Sequence, residues 1–406
     1  MSDKFGPLQG ITVVDFSQMM AGPFATQILS DLGARIIKVE KPSVGEWERS
    51  LPSMGKFFKG QSPFFLSMNR GKDSLAIDLK SQRGKDVVNK LLKNADVVTS
   101  NFRPGTLDRL GFGYEEVRKI NPEIIYSSSS GFGSFGPWQG RPGQDLLLQA
   151  VSGMLHQSGK GGEAPSPVAS SVIDAITSLY NVIGILASLT GRAKGKTLGA
   201  VEVSMLEAAI AVQCQELAAS INLEQKFERS SSGLGTPWND APYAVYKASD
   251  GYFVIAMADL SSIADLLDIP DLKIIANSGD TFALRDKSKS LIDSAVRNRN
   301  RDDIVEILLG EDIWCAPVLS FEEVRELEQV KESGILRTLE HPEYGEFITP
   351  GLPIRFSNYE PDYKKAPPVV GEQTREILES VGISDDEIRS LEGDGVISTY
   401  QRGVER

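Results

Sequence analysis

Histidine is nearly absent. The 406-residue chain holds two, His156 and His341, both in loop-like stretches, and no pair has metal-ligand spacing, so a metal site is not expected. A Ser-His-Asp triad would have to recruit one of these two. The GxSxG-like stretch GFGSFGPW (Gly131–Trp138) lacks the spacing of a nucleophile elbow. Cysteine is as scarce: Cys214 and Cys315 make no disulfide framework and no CxxC pair, which fits a reducing cytoplasm. A run of about 18 apolar residues is missing, and MSDKFGPLQG lacks the apolar core of a signal peptide, so no membrane span or leader is expected. No GxGxxG follows the first strand. Its turn, SQMMAGP, is wrong for a dinucleotide pyrophosphate, so a nicotinamide cofactor is not supported. A net charge of −12 offers no general basic face for nucleic acid. These absences leave chemistry run on carboxylates, amides and backbone donors.

What is present is ordinary globular composition, 41% hydrophobic and 24% charged, in a chain long enough for two or three domains. Short apolar runs alternate with helical segments. ITVVDF (Ile11–Phe16) reads as a buried strand, Ala21-Gly22-Pro23 opens a helix to about Leu32, and ARIIKV (Ala34–Val39) is the next strand, a βαβ unit. Further strands are expected at Ser74–Leu79, Ala95–Ser100, Ile124–Ser127 and Ala200–Val203. Helices are expected at Gln82–Leu92, Asp145–Met154, after Asp174, and from Leu206 to about Leu223. The fold class is therefore α/β, with a Rossmann-like open, mostly parallel sheet. Composition shifts at 224–239, and a smaller α+β unit follows. Its strands are placed at Tyr252–Met257 and Ala316–Leu319. The end of the chain returns to short strands at Phe347–Thr349 and Ile354–Phe356 before two final helices.

One stretch organises the functional reading. Pro167–Leu189 holds a single carboxylate, Asp174, followed by apolar residues at helical spacing. Such an acid is either a first-turn group complementing the helix dipole or a functional carboxylate on a rigid element. Gln144-Asp145 opens another helix, with Asp145 suited to capping. Basic residues near strand ends (Lys38, Lys41, Arg70, Lys72, Arg103, Arg109) can hold phosphates or be solvated surface charges. Phe132, Phe135 and Trp138, in the glycine-rich loop, can wall a ligand or fold onto the core.

Several stretches together resemble the class III coenzyme A transferases, the CaiB/BaiF-like family that includes formyl-CoA transferase, carnitine CoA transferase and α-methylacyl-CoA racemase. They are LQGITVVDFSQMMAGPFATQILSDLGARIIKVEKP, NRGKDSLAIDLKSQRGKDVV, NADVVTSNFRPGTLDRLGFGYEEV, GQDLLLQAVSG, CAPVLSFEEV and APPVVGEQTREIL. The resemblance implies a transferase of sulfur-containing groups, with acyl-CoA and a small carboxylic acid as partners. It implies Asp174 as the nucleophile, kept ionised by helix N-terminal amides. It places Met20 and Ala21 in the first loop against CoA. Lys41, Asn101, Phe102 and Arg109 fall at adenine and phosphate positions, and Gln144 near the acyl group. It also implies an interlocked-ring homodimer, with a large domain from 1–225 and 331–406 and a small α+β domain from 226–330. Two departures bear on the reaction. Gln144 stands where the racemase branch has a proton-carrying histidine, and an amide does no acid–base work at neutral pH. No polyglycine loop exists either; SSSGLGTP (Ser230–Pro237) is the substitute. A racemase of the same family and a non-catalytic CoA-binding protein remain the alternatives.

Overall fold

The computed structural model describes residues 6–223 and 227–400. Its strands are β1 Thr12–Asp15, β2 Arg35–Glu40, β3 Lys72–Ile77, β4 Val97–Ser100, β5 Ile125–Ser130, β6 Val201–Ser204, β7 Ala244–Lys247, β8 Tyr252–Ile255, β9 Cys315–Pro317, β10 Leu336–His341, β11 Gly345–Pro350 and β12 Ile397–Ser398. Its helices are α1 Ala21–Asp31, α2 Pro63–Met68, α3 Gln82–Leu92, α4 Thr106–Leu110, α5 Tyr114–Ile120, α6 Asp145–Val151, α7 Val172–Ala193, α8 Met205–Val212, α9 Cys214–Asn222, α10 Leu260–Leu266, α11 Pro270–Ala276, α12 Arg285–Val296, α13 Arg301–Gly310, α14 Phe321–Glu326, α15 Glu328–Ser333, α16 Thr374–Ser380 and α17 Asp385–Gly393.

The chain forms two compact units. The first comprises 1–148, 171–209 and 331–406. Its sheet runs β12-β3-β2-β1-β4-β5-β6, parallel throughout except for the antiparallel edge strand β12. Alternate strand residues face opposite layers. Val14, Ile37 and Leu75 pack with Val88 and Leu91 of α3 and Ile377 of α16, while Val13, Ile36 and Val97 pack with Leu29 of α1 and Ile185 of α7. The strand order reverses between β1 and β4. In open α/β sheets the crevice at such a point, beyond the strands' carboxyl ends, is where ligands bind.

The second unit comprises 149–170 and 210–330. It is an antiparallel β7-β8-β9 sheet covered by α10 to α13, with Tyr246, Phe253, Leu272, Ile292 and Ile304 in its core. Segment 149–170 joins it through hydrogen bonds: Gln157 Nε2 donates to Gln213 Oε1 (2.6 Å), Trp238 Nε1 to Gln157 Oε1 (3.1 Å) and the Gly161 amide to the Ser230 carbonyl (2.7 Å). The boundary expected at 225/226 lies outside the described residues.

The structure corrects several expectations. Ile354–Phe356 is not a strand. The helix expected over 206–223 breaks at Gln213, which leaves helical geometry at φ −94°, ψ 28°. β7 and β12 carry too little apolar pattern to be read from sequence. α7, at 22 residues, is long and apolar enough by composition to cross a bilayer. Asp174 and Asn181 interrupt the uniform run that the sequence reading looked for. In this fold α7 packs on α1, β5 and β6.

The head of α1 needs glycine at its second residue. A Cβ on Gly22 would meet Ser17 Cβ at 2.1 Å and Ser17 Oγ at 2.5 Å, and Ser17 is buried and held by Asp15. Gly22→Ala is therefore expected to lower unfolding free energy by about 1–3 kcal/mol through overpacking. Urea unfolding followed by circular dichroism measures it, and an unchanged midpoint would contradict the close approach.

Candidate active site

Two helices begin side by side at the carboxyl end of the sheet. α1 starts at Ala21, immediately past β1, with Met20 in the capping position and a left-handed Met19 (φ 61°) before it. α7 starts at Val172, so Asp174 is its third residue. Ser178, one turn further, ties the two together: its hydroxyl lies 2.6 Å from the Ala21 carbonyl and 2.8 Å from the Asp174 carbonyl. Asp174 is thus held on a long, packed helix against the first loop, half-buried.

The amides at the head of α7 are not free to stabilise the Asp174 carboxylate. Asp145 Oδ1 accepts from the amides of Ile173 (2.6 Å) and Asp174 (3.1 Å). Asp145 is the first residue of α6, and it caps the neighbouring helix. This corrects the expectation that helix N-terminal amides keep Asp174 ionised. Burial, and then the charge of Asp145, push the Asp174 carboxyl up to about 7.

Behind the first loop lies a buried ion cluster. Lys72 Nζ contacts Asp15 Oδ2 at 3.4 Å, Lys38 Nζ contacts Glu46 Oε1 at 3.1 Å, and Arg49 grips both Glu40 oxygens at 2.7 Å. Burial opposes ionisation of Glu40, but Arg49 overrides it and holds the acid down at about 2. Burial lowers Lys72 to about 8 against the pull of Asp15. Lys38 and Lys72, together with Arg70, which pairs with Asp31 at 2.6 Å, are consumed in structural pairs and hold no phosphate. Among the expected phosphate ligands, Lys41, Arg103 and Arg109 are exposed.

The remaining expected residues are spread along the same edge. Asn101, just past β4, bridges the sheet's reversal point: its Oδ1 accepts from the Gln18 amide (2.8 Å) and its Nδ2 donates to the Gln18 carbonyl (2.6 Å). Phe102 packs against the core. Lys41 lies just beyond β2, and Arg109 on α4 donates to Thr106 Oγ1 (3.0 Å). Gln144 is exposed and adjoins Asp145. The Ser178 hydroxyl therefore links Ala21 to Asp174, and among the described residues no hydrogen bond draws Lys41, Phe102, Arg109 or Gln144 to that pair. In the glycine-rich loop Phe132 meets Trp138 edge-on at 5.4 Å, Arg141 lies 4.3 Å over Trp138, and Phe135 is exposed. In the second unit, Ser230 and Ser232 of the SSSGLGTP stretch donate to Asp286 at 2.5 and 2.6 Å, which pins that loop. A cavity of about 350 Å³ lies in the same unit, walled by Gln157, Gln213, Arg229 and Trp238, with Glu216 its acid.

A family model described as CoA-transferase family III matches residues 8–374. The chain belongs to this family. It is 32% identical to mouse succinyl-CoA:glutarate CoA-transferase, over 98% of this chain and 92% of that one. It is 31% identical to Acetobacter aceti acetyl-CoA:oxalate CoA-transferase, over 91% and 94%. A crystal structure of a CaiB/BaiF family protein from Brucella suis superposes with a TM-score of 0.82 at 29% identity, covering 93% of this chain and all of that one. For this member of the CoA-transferase family, the sequence alone presents Asp145 as a local cap and does not single out Glu46 or Glu48. The available signal was charge inside apolar strands: Asp15, Lys38 and Lys72 each interrupt a buried run and require buried partners.

An NMR titration of the Asp174 carboxyl should give a midpoint near pH 7. In Asp145→Asn it should fall, because the amide oxygen keeps the cap but the like charge is gone. A midpoint near 4 in the parent protein would contradict the site's electrostatics. Asp145→Ala also loses the cap and should cost about 0.5–2 kcal/mol in unfolding free energy, measured by chemical denaturation.

Proposed function

We propose that the protein transfers coenzyme A from an acyl-CoA thioester to a free carboxylic acid, with Asp174 as the covalent nucleophile. The observation that carries this reading is a half-buried carboxyl at the head of a rigid helix, tied to the turn after β1, with its pKa raised to about 7. An acid of that pKa is more basic than an ordinary carboxylate yet still about half ionised at neutral pH, which suits a nucleophile.

A carboxylate oxygen of Asp174 attacks the thioester carbonyl, and CoA leaves as thiolate, giving a mixed anhydride. The thiolate attacks the aspartyl carbonyl and expels the donor acid as carboxylate, leaving an aspartyl-CoA thioester. The acceptor carboxylate attacks that thioester and again releases thiolate. The thiolate then attacks the acceptor's acyl carbon and frees Asp174 as carboxylate. Each tetrahedral intermediate calls for hydrogen-bond donors to its oxyanion; in the first loop the amides of Ser17, Gln18 and Met19 are already taken by Asp15, Asn101 and Glu46.

Met20, Ala21, Asn101 and Phe102 would line the CoA path along this edge. Exposed Lys41 and Arg109 would meet its phosphates, and Gln144 would lie near the acyl end. The named relatives make short mono- and dicarboxylic acids the first substrates to try. The family's interlocked homodimer, with a small domain near 226–330, is part of the same proposal. Leu179, Tyr180 and Ile183 of α7 and Leu146, Leu147 and Val151 of α6 are exposed apolar residues that favour cover by another protein surface. The absence of a side-chain acid–base group at Gln144 favours transfer over racemisation. Two free cysteines are compatible with a reducing compartment.

Incubation with succinyl-CoA or acetyl-CoA should add CoA covalently to the protein, seen by intact mass, with hydroxylamine marking Asp174. Asp174→Ala should abolish the adduct and lower turnover by at least about 10⁴-fold. For the parent protein kcat/KM should rise with pH through an apparent pKa near 7, because the reacting form is the ionised one. Full turnover in Asp174→Ala would overturn the reading.

A further inference from the structure

The buried cluster leaves one acid over. Its cations are Lys38, Lys72 and Arg49, and each is matched, by Glu46, Asp15 and Glu40. Glu48 is a further carboxyl in the same place. It sits in the single 3₁₀ turn Trp47–Ser50, between Glu46 and Arg49. Both neighbours are fixed. Glu46 also accepts from the Met19 amide at 3.1 Å, and the Arg49 guanidinium lies 3.6 Å over the Phe65 ring. The backbone that carries Glu48 is therefore held at both ends of the turn.

The residue is only 5% exposed, and its Oε2 is buried with no hydrogen-bond partner. A buried polar oxygen left unpaired costs about 1–3 kcal/mol, so its presence points to a partner that arrives. The charged groups that act on it are Glu46, Lys38, Lys72 and Asp174. Burial first, then Glu46, raise Glu48 to about 8, with Asp174 adding to the rise against the two lysines. At neutral pH it is an uncharged acid, holding one O–H to donate within electrostatic reach of Asp174.

On the reading of Asp174 as nucleophile, we propose that Glu48 is the residue that selects the acyl group, donating a hydrogen bond to a second oxygen carried by the acid that reacts there. The substrates preferred would be short acids bearing a hydroxyl, keto or second carboxyl group, rather than plain alkanoic acids. A neutral acid suits this task better than a carboxylate, which would repel a second carboxyl group. A site built to hydrogen-bond a substrate oxygen strongly rejects the analogue that lacks it.

The test compares matched acceptors, glutarate against valerate and 3-hydroxybutyrate against butyrate, with CoA-adduct formation followed by intact mass in every protein. The parent should favour the oxygen-bearing member by about 100-fold or more in kcat/KM. Glu48→Gln keeps an N–H donor and should keep the preference. Glu48→Leu should lose or invert it. In the parent the preference should fall as pH rises through about 8, because ionisation removes the donor; in Glu48→Gln it should not. That pH contrast decides the matter if the leucine variant fails to fold. Equal ratios in the parent and Glu48→Leu, with the adduct still formed, would overturn the role of Glu48 alone. No adduct in the parent would remove the Asp174 reading and this one with it.

Discussion

Asp15, Lys38, Glu40, Glu46, Arg49 and Lys72 sit almost wholly out of water, within β1–β3 and the turn that follows β2. Ions moved from water into a protein interior carry a penalty of several kcal/mol each, recovered only when partners are close and the remaining lone pairs are satisfied. Here the satisfaction is detailed. Asp15 takes the Ser17 amide, the Ser17 hydroxyl and the Thr26 hydroxyl, at 2.8, 2.5 and 2.6 Å. Glu40 takes the Ser74 hydroxyl at 2.7 Å and the Glu46 amide at 3.0 Å. These bonds fix the two loops that leave β1 and β2. A pair of well-packed leucines at such positions would hold the strands as well, but would not aim a loop. We read the cluster as the device that gives the first loop one conformation, including the left-handed Met19.

That fixed loop is what Asp174 is measured against. The head of α1 and the head of α7 meet through one serine hydroxyl, and Asp145 occupies the amides that would otherwise favour a carboxylate. The two acids are linked in opposite senses. Asp145 gains two amide donors, and its charge then works against ionisation of Asp174. Burial is the larger cause of the rise, and the Asp145 charge adds to it. The arrangement trades the fraction of ionised Asp174 for basicity, so its carboxylate is more basic than it would be in water.

Much of the scaffold was legible in the residues. β1, β2 and β4 announced themselves as short β-branched runs because both their faces are buried. Proline at the head of α1 and glycine after it marked that helix well. What escaped was set by contacts distant in sequence. β12 is two residues long and exists only as a partner of β3, 320 positions away between Ile397 and Ile77. Asp145 has the composition of a local cap, and only the fold reveals that it serves α7. Lys38, Arg70 and Lys72 look like phosphate ligands by position, and burial reverses that reading. Asp174 was singled out as the lone charge in an apolar helix, and that isolation survives in the structure as its raised pKa.

Charge balance also accounts for the difference between Glu46 and Glu48, which stand two residues apart in one turn. Glu46 lies within 3.1 Å of Lys38 and holds the Met19 amide. Glu48 finds every nearby cation already claimed. An added negative charge would then face Asp174 and Glu46 across a medium that screens poorly, so the proton stays on. A carboxyl retained under those terms contributes little to the fold that an apolar side chain of the same size would not supply better. Its chemistry lies in the one property an apolar replacement lacks, a hydrogen bond still to be made.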